Sequence, residues 1–478
     1  MGWLDNVIYG ISPKWAYERE AWRQELESIK SYDAGAYDRN NTNWNANNQS
    51  AELTDRYSRD VIRARTRDLE RNSDMAGSVI KAFKRNVIGG GYTLQAKSPD
   101  EKLNDKLEEY WKEWCMKENC DVTGTQSFNQ MLRMAIARKK VDGGILFIKR
   151  YTENGMIPFQ LQAIEVDELA SNYVGEGRII GGIHYNEYNR PIGYYIKQYD
   201  LTGYSINNPV YVPAKDVIFI FSKKRPSQIR EISDMTPTIT RIRDTNEFMV
   251  ATAVKERIAA CLAVFIKKNN PGGSGMEGRN KSSNTVQNKY DGKTLIPGMI
   301  KELNINEEVQ TVSPSGQATD AATFVKLQQK LMAAGQGLSY ESTSRDMSDV
   351  NYSSARQGAI EDELEYIEEM ELIEEFMSEV YKTFVTCAYL CGLIEIPKYQ
   401  EMKEYMRHEW VKAPKKWIDP LKEANANKIA LQTGQKTLKD IASENGRDWK
   451  EVVDEMTEIL KYGEEKGIDL GGILFGKK

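Results

Sequence analysis

The residues of this sequence that could do chemistry are carboxylates, and they are concentrated in one acidic tract between Ser354 and Cys391. Clustered carboxylates can hold a divalent metal ion that activates water, which is the chemistry of metal-dependent nucleases. Such enzymes usually take their acids from separate elements with a basic residue nearby, whereas no Lys or Arg lies between the first and last acid here. A carboxylate-dependent nuclease therefore stays an alternative hypothesis. The acids of the tract are Glu361, Asp362, Glu363, Glu365, Glu368, Glu369, Glu371, Glu374, Glu375 and Glu379.

Other chemically reactive residues are isolated from one another. The two histidines, His184 and His408, do not lie at metal-ligand spacing from a cysteine pair. The segment Gly292-Lys293-Thr294 matches the end of a phosphate-binding loop, but Gln287 stands where the first glycine belongs. Pro297-Gly298 also cannot begin the helix that must follow such a loop. We therefore predict no catalytic residues, no metal site, no cofactor and no enzymatic activity.

A long helix must carry the acidic tract, because its apolar residues recur mostly at spacings of three and four. This pattern predicts one buried stripe on the helix. The acidic outer faces then either lie in open water or line something that the protein should not bind tightly. The residues of the stripe are Ile360, Leu364, Ile367, Phe376, Val380 and Phe384.

Composition limits the class of protein. The chain has 478 residues and a formal net charge of -5, so it is long enough for several domains and is not a bulk nucleic-acid binder. Five scattered cysteines predict no disulfide framework. The first residues lack a signal-peptide pattern and no apolar run reaches membrane-spanning length, so we expect a soluble intracellular protein. The segment 56–85 is basic, which predicts either a surface for a partner or a solvated helix face.

Hydrophobic periodicity predicts an α+β fold that is mainly helical. Short alternating segments between residues 145 and 221, separated by Gly, Asn and Pro, predict an antiparallel β-rich unit. Residues 1–50 form a polar arm whose Asn-rich run is expected to be irregular. Three well-capped helices follow Asp419. The other helical patterns cover residues 52–87, 101–115, 128–140, 234–261, 324–338 and the acidic tract.

The chain resembles the portal proteins of tailed bacteriophages, in their lambda-like branch. The resemblance runs from about residue 50 to residue 465, in the expected order, and rests on dispersed stretches that are specific only together. The family usually has glycine where Ser227 and Glu231 stand here, so we expect this turn to take a different route. The matching stretches are Arg65–Asn72, Asn86–Gly91, Val212–Ile218, Arg225–Arg230, Asn351–Arg356 and Trp417–Ala424.

This resemblance implies a ring, usually a dodecamer, at one vertex of the capsid. Double-stranded DNA is pumped in through the ring by terminase and later leaves through it. The implied partners are other copies of the chain, the terminase large subunit, a head-tail adaptor, the major capsid protein, the scaffold and the DNA, with no membrane. The implied location is the virion, and the host cytoplasm during assembly. Another head-tail connector protein is the remaining alternative.

Portal subunits have wing, stem, clip and crown regions, and the resemblance maps these regions onto the sequence. It implies a β-rich wing and a clip that carries a small β insertion and meets terminase and the adaptor. The expected segments are an N-terminal arm (1–50), wing (51–233), first stem helix (234–261), clip (262–318), second stem helix (319–339), tunnel loop (340–353), long channel helix (354–395) and crown with a C-terminal tail (396–478).

The same mapping implies two groups of functional residues. An acidic channel lining with few bases would repel DNA and let it slide, because each phosphate contact adds affinity and friction. The channel-facing candidates are Arg345, Asn351, Tyr352, Glu365 and Glu369. The candidates for the clip surface that meets terminase or the adaptor are Lys267, Lys268, Asn270, Arg279 and Lys281.

Overall fold

The computed structural model of the chain describes residues 12–30, 48–153, 155–200, 202–261, 265–266, 301–302, 321–348, 350–397, 401–413 and 420–468. The chain divides into two compact units, residues 1–54 and 55–478. The first unit contains helix α1 (Pro13–Lys30), and the short helix α2 (Ala51–Asp55) ends it. Helix α1 was not predicted in the polar arm. Its Ala, Glu, Arg and Lys residues are strong helix formers, and Trp15, Trp22, Leu26 and Ile29 recur at helical spacing.

The second unit is mostly helical, as predicted. Within the described ranges, no helix combines the length and the apolar character that a bilayer span requires. In chain order its helices are α3 (Arg59–Asn72), α4 (Asp74–Phe83), a π-helical turn (Lys84–Ile88), α5 (Glu101–Trp114), α6 (Lys117–Cys120), α7 (Phe128–Asp142), α8 (Ile239–Cys261), α9 (Ala321–Ala334), α10 (Tyr340–Ser344), α11 (Tyr352–Leu390), α12 (Met402–Tyr405), α13 (Pro420–Gln432), α14 (Leu438–Glu444) and α15 (Trp449–Glu465).

The strands form small sheets, so the prediction of a mixed α+β fold is confirmed. The sheets have the orders β3-β2-β8, β4-β5-β6-β7 and β1-β11, all antiparallel, and β9 pairs with β10 in parallel. The strands are β1 (Tyr92–Ala96), β2 (Gly144–Arg150), β3 (Gln160–Ile164), β4 (Arg178–Ile180), β5 (Ile183–Tyr185), β6 (Pro191–Tyr199), β7 (Ser205–Pro213), β8 (Val217–Phe221), β9 (Phe265–Ile266), β10 (Lys301–Glu302) and β11 (His408–Lys412).

An aromatic cluster joins α5, α7 and the second half of α11 in the core. The Trp111 ring lies 5.2 Å from that of Phe384 and 5.6 Å from that of Tyr381, centroid to centroid. Trp114 stacks on Phe159 at 5.3 Å, and its indole Nε1 donates a hydrogen bond to the Phe159 carbonyl over 2.9 Å. Edge-to-face and offset pairs of this kind stabilise a core beyond the area that they bury.

The long helix α11 is buried along only half of the predicted apolar stripe. Phe376, Val380 and Phe384 are buried as predicted. The earlier residues Ile360, Leu364 and Ile367 are exposed, so the prediction was wrong for the first half of the stripe. The buried side of this half instead carries Asp362, Tyr366 and Glu369, which hold polar contacts within the chain.

Gly143 ends helix α7 and fixes where its last turn points. Its φ is +90°, in the left-handed region that favours glycine, and an added Cβ would overlap the backbone of Ile232. The close approach of these two backbones places the last turn of α7, with Lys139 and Lys140, beside the segment that leads into α8.

Candidate functional site

A buried group of charges, here called the junction cluster, joins α7, the segment before α8 and the long helix α11. Its members are Lys139, Lys140, Lys224, Asp234, Glu365 and Glu369. Lys139 Nζ lies 3.0 Å from Asp234 Oδ2 and also contacts Glu369. Lys140 Nζ lies 2.7 Å from Glu369 Oε1 and 3.7 Å from the centroid of the Phe83 ring. Three cations and three anions therefore balance one another at the place where three elements meet.

The charged state of the junction cluster is maintained by its own pairing. Burial opposes the charge on Lys139, but the Asp234 and Glu369 carboxylates outweigh it and raise the pKa of this lysine. Burial likewise opposes the charge on Asp234, but Lys139, Lys140 and Lys224 hold its pKa below the usual range. Burial raises the pKa of Glu365, which Lys140 only partly offsets. The charged states of Lys139 and Asp234 therefore each depend on the opposite charges in the cluster.

The junction cluster corrects one predicted channel residue. Glu369 is only 4 % exposed and its carboxylate faces Lys139 and Lys140, so it lies inside the chain and not on a channel wall. Its basic partners are far away in sequence, which is why the acidic tract looked unpaired. Glu365 is partly exposed at the edge of the cluster, 3.9 Å from Lys140, and its role in the channel stays a prediction.

A cavity of about 530 Å³ lies against the junction cluster. The residues after α9 border it, and Gln336 Nε2 donates a hydrogen bond to the Asp234 carbonyl over 3.2 Å. Gly337 has a φ of +68°, and an added Cβ would lie 2.6 Å from Glu365 Oε2. The end of α9 and the segment before α8 therefore meet at the cluster. Among the described residues, no group of three His, Cys, Asp or Glu side chains is placed to hold a metal ion.

A second charged group, the arginine network, holds helix α3 to the β-rich unit. It consists of Arg63, Arg67, Arg230, Asp142, Asp167 and Glu231. Arg63 Nη2 lies 2.8 Å from Glu231 Oε1, and Arg67 Nε lies 2.6 Å from Asp142 Oδ1. Burial opposes the charge on Asp167, but Arg63 and Arg67 keep the pKa of this carboxyl low. These arginines are used inside the chain, which corrects the prediction that the basic segment as a whole faces a partner or solvent.

The arginine network includes Glu231, one of the two positions where the resemblance led us to expect a departure from the family pattern. Glu231 is fully buried and pairs with Arg63 and with Arg230, whose Nε lies 2.7 Å from Glu231 Oε2. Arg230 also donates hydrogen bonds to the carbonyls of Gly181 and Val166, over 2.5 Å and 3.2 Å. Ser227 and Glu231 have ordinary negative φ angles, so this turn does not use the left-handed backbone that glycine allows.

The predicted tunnel loop is partly ordered by α11 itself. The buried Asp362 accepts hydrogen bonds from the Ser339 backbone N–H over 2.6 Å and from the Ser339 hydroxyl over 2.8 Å, and the Ser342 hydroxyl also contacts it. Ser339 in turn caps the short helix α10. Arg345 then ends α10 with a φ of +59° and an exposed side chain. Asp362 therefore anchors the start of the loop that presents Arg345.

Two further channel candidates begin the long helix. Tyr352 is the first residue of α11, and Asn351 is its N-cap. Asn351 Oδ1 accepts a hydrogen bond from the Ser354 backbone N–H over 2.8 Å. This contact gives Asn351 a structural role whether or not it also faces DNA. The five clip candidates lie outside the described residues.

Replacing the N-cap tests that structural role. We expect Asn351→Ala to lower the free energy of unfolding by about 1 kcal/mol, because the first turn of α11 loses an acceptor for its free N–H groups. Asn351→Asp keeps the acceptor and is the matched control, with a change of only a few tenths of a kcal/mol. Urea unfolding followed by circular dichroism measures both. Equal loss in the two variants would contradict the capping role.

In the described residues, the two charged clusters hold the elements of the second unit together. The sequence also matches the family model of the phage portal protein, lambda family, over residues 37–369. The chain belongs to the lambda family of phage portal proteins. It is therefore a structural, non-enzymatic protein of the virion, located at the portal vertex.

Curated relatives match along most of the chain. It is 24 % identical over 471 residues to a probable portal protein of Halomonas phage phiHAP-1, covering 93 % of this chain and 89 % of the relative. It is 20 % identical to the portal protein of Escherichia phage N15, covering 86 % and 85 %. It is also 20 % identical to portal protein B of Escherichia phage lambda, covering 81 % of each chain.

Solved structures with a similar chain come from gene transfer agent particles. A chain of the native particle's virion aligns with a TM-score of 0.41 and 12 % identity, covering 77 % of this chain and 89 % of that one. A chain from the neck of the empty particle, computed with C6 symmetry, aligns with a TM-score of 0.41 and 13 % identity, covering 80 % and 93 %.

Proposed function

We propose that copies of this chain form a closed ring, of dodecameric type, around a channel at one capsid vertex. Double-stranded DNA enters and leaves the head through this channel, and the ring joins the head to the tail. The family match over 37–369, together with portal relatives that align along most of the chain, is the observation that carries the proposal. The ring's further partners are the terminase large subunit, a head-tail adaptor, the major capsid protein and the scaffold.

The regions of this ring follow the order of the described elements. We assign the wing to 51–233, the two stem helices to 234–261 and 319–339, and the clip to 262–318. Helices α8 and α9 support the stem assignment, since the Phe248 and Phe324 rings pack 4.6 Å apart and Arg241 donates to Gln328 over 3.0 Å. The tunnel loop (340–353), long helix (354–395) and crown (396–478) complete the chain.

The charge of the assigned tunnel loop fits a channel through which DNA slides. From Tyr340 to Asn351 the sequence has one base, Arg345, and three acids, Glu341, Asp346 and Asp349. Each Lys or Arg that neutralises a phosphate adds salt-dependent affinity, so a wall with few bases keeps friction low. We assign this loop, with Arg345, Asn351 and Tyr352, to the channel wall.

Electron microscopy of the purified protein tests the proposal directly. Negative-stain images are expected to contain rings with a central channel, and native mass spectrometry is expected to give one closed oligomer. Arg345→Ala is expected to leave those rings intact, because the Arg345 side chain is exposed at the end of α10. A protein that is strictly monomeric and cannot enter capsid precursors would overturn the proposal.

A further inference from the structure

The first half of α11 has an apolar face that the described residues of the chain leave exposed. Ile360, Leu364 and Ile367 recur at spacings of four and three, so they share one side of the helix. They are 50 %, 66 % and 41 % exposed, while Asp362 and Tyr366 on the opposite side are buried. Three large aliphatic side chains on one helical face form a contiguous apolar surface, which is typical of an interaction site.

An acidic strip runs along one flank of this face. Glu361 and Glu368 are exposed, and they lie seven residues apart on the flank where Glu365 approaches Lys140. Among the described residues, neither Glu361 nor Glu368 has an ion pair. The flank therefore carries negative charge that no described residue balances in an ion pair.

The π-helical turn, which follows the basic end of α4, packs beside the opposite flank. There Met370 contacts Lys412 Nζ at 3.3 Å, and Lys412 also donates to the Asn86 carbonyl in the π-helical turn. This turn follows α4, and Tyr366 packs edge-on against Phe83 at 5.4 Å. The basic strip consists of three residues near the end of α4 and in the turn, namely Lys81, Lys84 and Arg85. No described residue forms an ion pair with any of the three.

We infer that the apolar face of α11 is buried against the next copy of the chain in the ring. The acidic strip of one copy (Glu361, Glu368) meets the basic strip of its neighbour (Lys81, Lys84, Arg85), and Ile360, Leu364 and Ile367 are enclosed beside this contact. The acidic strip lies on α11, and the basic strip lies on α4 and the π-helical turn, which pack beside the other side of α11. Each copy therefore turns the two strips toward two different neighbours. Such a head-to-tail contact closes into a ring when its rotation is suitable. The inference rests on the proposed ring and assigns its contact surface.

Charge reversal tests the contact most directly. If the two strips meet, two variants that each fail to assemble alone should assemble when they are mixed. Variant A carries Glu361→Lys and Glu368→Lys, and variant B carries Lys81→Glu and Arg85→Glu. Each variant alone has two flanks of like charge, so we expect the association constant for ring formation to fall at least about tenfold. A mixture of A and B is expected to assemble again, with the two variants alternating around the ring. Native mass spectrometry distinguishes such mixed rings from rings of one variant.

The apolar part of the contact is tested separately on the same helix. Leu364→Asp is expected to reduce ring formation, because it places a charge in the enclosed face. Leu390→Asp is the matched control, since Leu390 is 71 % exposed at the far end of α11 and is expected to leave rings unchanged. Circular dichroism verifies that every variant keeps its helical content.

The outcomes separate this inference from the proposed function. If the natural protein forms rings and variants A, B and Leu364→Asp form them equally well, the contact assignment is wrong and the ring stands. If the natural protein forms no ring, the proposed function itself fails. If the variants form normal rings but cannot enter capsids, the face binds another virion protein and the inference is overturned.

Discussion

Glu369→Ala is expected to lower the free energy of unfolding by about 3–5 kcal/mol, the usual cost of removing one partner from a buried ion pair. The substitution leaves Lys139 and Lys140 buried with Asp234 and with the partly exposed Glu365, which lies 3.9 Å from Lys140. The desolvation of these two ammonium groups is then no longer balanced, so the unfolded chain becomes relatively more favourable. The effect is large because both lysines use the same Glu369 oxygen.

Urea unfolding followed by tryptophan fluorescence measures this loss. Glu371→Ala is the matched control, because Glu371 is an exposed acid on the same helix and its loss is expected to change stability by about 0.5 kcal/mol or less. Glu369→Gln keeps the size of the side chain and removes only its charge, so it separates the ionic effect from a packing effect. Equal unfolding midpoints for the two alanine variants would show that the junction cluster does not depend on Glu369.

Glu231→Ala is expected to have a similar effect, again about 3–5 kcal/mol, in the arginine network. Its carboxylate lies between Arg63 and Arg230, and all three side chains are buried. Removing the carboxylate leaves two guanidinium groups close together, so their mutual repulsion adds to the desolvation that they have already undergone. We therefore expect the packing of α3 against the β-rich unit to loosen.

Glu165→Ala is the control for this second prediction. Glu165 pairs with Arg67 at 3.1 Å, but its side chain is 56 % exposed, so its loss is expected to cost about 1 kcal/mol or less. Hydrogen exchange adds a local readout, since faster exchange in Glu231→Ala should concentrate in the strands near Gly181 and Val166. Uniform exchange with unchanged stability would contradict the proposed role of Glu231.

Local sequence patterns were sufficient to predict most of the long helices, several strands and the capping of the last helices. Thr437 and Asp440 form the reciprocal cap of α14, one of the helices expected to be well capped after Asp419, and β8 (Val217–Phe221) lies within the predicted β-rich unit. These features depend on residues within a few positions of one another, which is the range over which capping and periodicity act. Strand β7 was missed because Asn207, Asn208 and Pro209 interrupt its alternation.

The pairing of distant charges could not be predicted in the same way. Nothing near Glu369 indicates Lys139 and Lys140, because the contact depends on how α7 and α11 pack. The prediction for α11 identified the apolar face correctly but was wrong about the burial of its first half. Periodicity shows which residues share a helical face, but it does not show which part of the protein covers that face. The resemblance indicated that residue 231 is an unusual position for a glutamate. The structure adds the partners of that carboxylate, Arg63 and Arg230, which are distant in sequence or could not be assigned to it from the sequence.

The pairing of β1 with β11 has a consequence for how the protein is made. Tyr92 pairs with Lys412 and Ala96 with His408, so a strand near the start of the second unit closes its sheet with one near the end. At ribosomal speeds, the delay between the emergence of the two strands is on the order of tens of seconds. Throughout that time β1 has an unpaired edge, which is a hazard for incorrect association. Because Lys412 also contacts the π-helical turn of the basic strip, that surface is completed only when synthesis is nearly finished.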